Sequence, residues 1–192
     1  MAECILLSKG SLINVIKKFP SECIDINMLY VGYTNGPALF TYGANPCMAV
    51  VVHYKKKNCG FMAHIAMKGI SEGLKGLFMI VHFHIVNMIF KIDGFSKDYD
   101  QLQVFLFGST LLADYPKENF PRYLAKTMPK IDLIDKLDYP PLLRTKSYIE
   151  RIPAQVLYWP EENIVAELNT KELEYLQKNQ KKSLYGVSVK IY

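Results

Sequence analysis

The chain has 192 residues, half of them hydrophobic and about a fifth charged, with a net charge of +5. That is a globular rather than a disordered composition, long enough for one sizeable core or one domain plus an extension. The mild charge and the lack of an aromatic-basic module argue against nucleic acid, and four cysteines without C-x-x-C spacing argue against zinc or thioredoxin-type chemistry.

In chain order, Cys4 to Leu7 is a short apolar run, too short for a signal peptide, and Lys17-Lys18 follows rather than precedes it. Ser11 to Phe19 reads as a helix ended by Pro20. Asp25 to Tyr33 reads as a strand, closed by the turn Thr34-Asn35-Gly36-Pro37. Ala38 to Tyr42 is a second strand, feeding the loop that ends at Cys47. Met48 to Val52 is apolar, the basic turn Lys55-Lys56-Lys57-Asn58 reverses the chain, and Cys59 to Met67 brings back His64. Ser71 to Lys91 has helical spacing, with a start at Ser71-Glu72 and a stop at Asp93-Gly94. Its apolar stretch, Leu77 to Phe90, is fourteen residues long, and a membrane span needs about 20. On that helix His82 and His84 lie about 200° apart, so they cannot share one metal, and both are read as structural.

Leu102 to Leu106 is a strand running into Phe107-Gly108-Ser109-Thr110. Glu118 to Met128 is a predicted helix, and Ile131 to Leu137 alternates before Tyr139-Pro140-Pro141. Val156 to Trp159 and Ile164 to Leu168 form a hairpin around Pro160-Glu161-Glu162-Asn163. Thr170 to Lys182 is a helix with early acidic and late basic residues, matching its dipole. Val187 to Ile191 is a last strand.

The hairpin is where chemistry is expected. Cys47 stands at one end of its first strand, and His64, late in the second, returns to the same end. A thiol and an imidazole so placed make a nucleophile-base pair, and Thr41 could orient the ring. A lone cysteine and a lone histidine in apolar runs also fit a packed core.

The same residues resemble the core of CheD, the bacterial chemoreceptor glutamine deamidase. That family carries Thr-x-Gly-x-Gly-Ser-Cys, a strand, a charged turn, and Gly-x-Met-Ala-His. Here the matches are Thr41, Gly43, Cys47, Met62, Ala63 and His64, with intervals of six from Thr41 to Cys47 and seventeen from Cys47 to His64. Asn45-Pro46 replaces the usual Gly-Ser, and Pro46 has no N–H to offer an oxyanion. The usual Gly-Gly-Asn and Arg segment before the last hairpin is also missing, since Thr145 to Ala154 has no glycine and only Arg151. This departure bears on substrate preference.

The resemblance covers residues 28 to 168. It implies an α/β (α+β) class: a mixed β-sandwich core flanked by helices, the CheD-like cysteine hydrolase fold also seen in the cytotoxic necrotizing factor catalytic domain. The chain is expected to be a single domain, with an N-terminal extension (1–25), a catalytic core (26–168) and a C-terminal helix-strand extension (169–192). The implied activity is cysteine-dependent deamidation of a protein glutamine by Cys47, His64 and Thr41, with Ser109 and Thr110 lining the pocket. A silent CheD-like partner-binding module and an N-terminal asparagine amidohydrolase-like enzyme are the alternatives. No metal, cofactor, nucleic acid or integral membrane segment is expected. The partners are a protein substrate with an accessible glutamine and a possible regulatory protein. A soluble protein is expected, in the bacterial cytoplasm or secreted into a host cell by a specialised machine.

Overall fold

The computed structural model describes residues 4–7, 22–66, 83–84, 87–88, 91, 101–108, 153–179, 181–182 and 188–190. Its strands are β1 (Ile5–Leu7), β2 (Glu22–Asp25), β3 (Tyr30–Thr34), β4 (Ala38–Ala44), β5 (Met48–Tyr54), β6 (Cys59–Ile65), β7 (Leu102–Gly108), β8 (Ala154–Trp159), β9 (Ile164–Glu167), β10 (Lys181–Lys182) and β11 (Ser188–Lys190). Helix α1 spans Thr170–Asn179. The strands form two sheets. The six-stranded sheet runs β1-β9-β8-β4-β2-β10 and the five-stranded sheet β11-β3-β6-β5-β7. The first is mixed, with parallel pairs at β1/β9, β2/β4 and β2/β10. The second is antiparallel throughout. The described residues are therefore mostly β-sheet with helix packed on it, an α+β class.

The sheets pack face to face. Leu39, Val156, Tyr158 and Val165 of the six-stranded sheet share one buried cluster with Ala49, Val51, Met62 and Phe107 of the other. The outer face of the six-stranded sheet packs Phe40, Leu157 and Ala166 under Leu173 and Leu176 of α1. On the outer face of the five-stranded sheet, Tyr33 and Phe61 meet the ring of His84, which lies in a helical segment. Covered on both sides, β5 and β6 are buried along their whole lengths. This explains why their sequences read as continuous apolar runs rather than alternating ones.

A polar pair lies inside the core. His53 Nδ1 and the Tyr158 hydroxyl lie 2.9 Å apart. Gly60, opposite His53, leaves room for that hydroxyl: a Cβ there would stand 2.4 Å from it. Helix α1 begins with a reciprocal cap. Asn169 N–H donates to Glu172 Oε2 (2.8 Å) and Glu172 N–H to Asn169 Oδ1 (2.9 Å).

Four differences from the sequence reading stand out. Asp25 to Tyr33 is two strands, β2 and β3, separated by a turn at Met28-Leu29 with Leu29 at φ 70°. The apolar run at Ile5–Leu7 is an edge strand parallel to β9. Helix α1 stops at Asn179, and Lys181–Lys182 pairs with β2 instead of prolonging the helix. The segments expected to be extensions thus supply β1 and β2 at one end of the chain, β10 and β11 at the other. The helix expected over 71–91 is helical at its described positions. Ser109, Thr110, Arg151, His82, the Ser11–Phe19 and Glu118–Met128 helices and the 131–137 segment lie outside the described residues. No helix among the described residues is long and apolar enough to cross a membrane.

The end of β7 sets the position of the Cys47 loop. Gly108 has φ 80°, and a Cβ on it would stand 2.3 Å from the Ala44 carbonyl oxygen and 3.0 Å from that of Cys47. Gly108→Ala should therefore cost about 1–3 kcal/mol through backbone strain and overpacking. Urea unfolding measures it, and an unchanged midpoint would remove Gly108 as a support of the loop.

Candidate active site

Three strands bring the candidate residues together. Thr41 lies on β4 and is 1% exposed. Just past it the register with β8 shifts, since Thr41 pairs with Val156 and Ala44 with Ala154. Gly43, at φ 72°, lies in this bulge, where the left-handed region suits glycine. The bulge turns the chain into the loop that ends at Cys47, the residue before β5. Its Asn45-Pro46 peptide is cis. On β6, His64 stands opposite Ala49. Cys47 packs in the inter-sheet cluster with Ala49 and Val51, so it shares His64's face of the sheet. Diagonal positions of this kind have Cα atoms about 7–8 Å apart, close enough for the longer side chains to meet.

The strongest feature is the hydrogen bonding of Thr41. Its hydroxyl donates to the Ile26 carbonyl (2.6 Å) and lies 2.8 Å from His64 Nδ1. A hydroxyl has one hydrogen. Since that hydrogen goes to Ile26, Thr41 must accept from His64, and Nδ1 carries the ring proton. Nε2 of the neutral ring is then the unprotonated nitrogen. It is buried and has no hydrogen-bond partner among the described residues. An imidazole fixed at one nitrogen, with the other bare, is arranged as a base.

Electrostatics keep it so. Burial lowers the His64 pKa from its ordinary value, and the Ile26 carbonyl, which favours the charged ring, opposes this. The Cys47 thiol, 8% exposed, does not bond to the ring. Its S–H points to Met28 Sδ, 3.6 Å away. Burial pushes the Cys4 and Cys23 thiols up to about 12, so both are inert near neutrality. Among the described residues, no three His, Cys, Asp or Glu side chains are grouped to hold a metal ion.

Thr41 and His64 are thus bonded to each other, and Cys47 lies in the inter-sheet cluster with its thiol on Met28. Two participants were not read from the sequence: the Ile26 carbonyl and Met28. Both belong to the turn between β2 and β3, where Leu29 takes a left-handed conformation without the glycine that usually marks one. No protein-family model, curated protein or solved structure matches the chain.

The buried ring has a consequence for pH. The unfolded chain takes up protons on histidine at about 6.5, whereas burial holds both His64 and His84 below that value in the fold. Their contribution to stability is present above about 6.5 and is lost as pH falls through the folded pKa values. Melting temperature should therefore decline on acidification from neutral pH. The NMR midpoint of the His64 ring should lie below 6.5, and a midpoint above it would contradict the burial account.

Proposed function

We propose that the chain is a cysteine-dependent protein-glutamine deamidase of the CheD type. The observation that carries this reading is the bare, buried Nε2 of His64, held by Thr41 on the sheet face that bears Cys47. The intervals of six and seventeen residues between Thr41, Cys47 and His64 support it, because they are those of the CheD motif.

A carboxamide is a weak electrophile, and its nitrogen leaves only when protonated. The thiol proton of Cys47 passes to His64 Nε2, and the thiolate adds to the side-chain carbon of glutamine. Backbone N–H groups beside Cys47 would stabilise the oxyanion, though Pro46 cannot contribute one. The imidazolium returns its proton to the nitrogen, the C–N bond breaks, and ammonia leaves a thioester. Water then attacks the thioester while His64 takes its proton, releasing glutamate and restoring the thiol. Thr41 fixes the ring tautomer throughout, as the third member of a triad does. Ser109 and Thr110 remain the proposed substrate contacts on sequence grounds.

Chemoreceptors and host proteins are the two substrate classes proposed. A lysate of each kind incubated with the protein, then searched by mass spectrometry for glutamine-to-glutamate conversion, tests the reading. Cys47→Ala should lower conversion at least about a thousandfold and leave the melting temperature close to the parent's. His64→Ala should be comparably inactive, losing about 10²–10⁴ for general acid-base catalysis. Thr41→Ala should keep measurable activity. Conversion that persists in folded Cys47→Ala would rule the mechanism out.

A further inference from the structure

The thiol contact with Met28 has no part in the chemistry above. The backbone around Met28 is fastened to the site itself. Ile26 N–H donates to the Phe40 carbonyl (2.8 Å) and the Ile26 carbonyl accepts from Thr41. Leu29 N–H donates to the carbonyl of His64 (2.8 Å), and Tyr30 N–H closes the turn on Asn27 (3.1 Å). The Met28 side chain is held differently. It is 53% exposed, unbranched and flexible, while Cys47 beneath it is 8% exposed. A fixed turn therefore carries a movable side chain over a covered thiol, whose hydrogen is aimed at the thioether rather than at His64.

We propose that Met28 is the specificity-determining cover of Cys47: its thioether fills the approach to the thiol, and an entering substrate side chain must take its place. The identity of that side chain rests on the deamidase reading. Methionine reaches its sulfur through two methylenes, and glutamine reaches its carboxamide carbon through two. A glutamine side chain thus replaces Met28 with a stem of matching length, which delivers the carbonyl carbon to the thiol. Asparagine is one methylene shorter. Once Met28 withdraws, the S–H loses its acceptor and can turn to His64 Nε2. The cover keeps the nucleophile quiet until the right side chain displaces it.

The test uses the full chain and no substrate. Iodoacetamide and the bulkier N-ethylmaleimide are reacted with the protein, and Cys47 labelling is timed by peptide mapping. Met28→Ala should speed labelling several-fold, more for N-ethylmaleimide than for iodoacetamide. Met28→Leu, similar in volume, should label near the parent rate. Unchanged rates in Met28→Ala would overturn the proposal, as would Met28→Leu reacting as fast as Met28→Ala. Equal acceleration at Cys4, Cys23 and Cys59 would also overturn it, since that reports general loosening. Alkylation reads the thiol without turnover, so the cover and the deamidase reading can fail separately.

Discussion

One hydroxyl hydrogen organises the site. Thr41 gives it to the Ile26 carbonyl and must therefore receive from His64. That chain crosses from the five-stranded sheet, through Thr41 on the six-stranded sheet, to the turn that leads into β3. It settles the tautomer of a buried ring with no charged partner among the described residues. A carboxylate in the place of Thr41 would hold the ring more strongly but would also favour its protonated form. A neutral acceptor leaves the imidazole neutral and its second nitrogen bare.

The β5/β6 hairpin holds two buried histidines, and the contrast between them is instructive. His53 meets the Tyr158 hydroxyl in a space that Gly60 leaves open, and it acts as a packed core residue with a polar contact. His64, near the other end of the hairpin, has its second nitrogen unpaired among the described residues. A buried polar atom without a partner carries a desolvation cost of about 1–3 kcal/mol. Such a cost is tolerated where the atom has another task, and it marks His64 rather than His53 as the ring to examine.

Much of this was legible in the sequence because it is local. The β5/β6 hairpin has a charged reversal between two apolar runs, and the β8/β9 hairpin has Pro160 to Asn163 between two more, with Asn163 at φ 56°. The reversal between β5 and β6 puts His64 opposite Ala49, two residues after Cys47. Pairings between distant segments were not legible. β1 finds β9, and β10 finds β2, through contacts no nearby residue announces. The same holds for the split between β2 and β3. Leu29 adopts a positive φ that its type does not favour, fastened there by the His64 carbonyl. Tertiary bonding outweighed local preference, and the run through Asp25 to Tyr33 reads as one strand when it is two.

The outer strands have a practical side. β1 borders β9, β2 borders β4 with β10 beyond it, and β11 borders β3. A fragment trimmed to residues 26–168 would strip all of them at once. It would keep Thr41, Cys47 and His64 but bare the backbone N–H and C=O groups along β9, β4 and β3. Open edges of that sort recruit other chains. The expected behaviour of such a fragment is self-association, with a motif that looks whole in sequence and a protein that will not stay in solution.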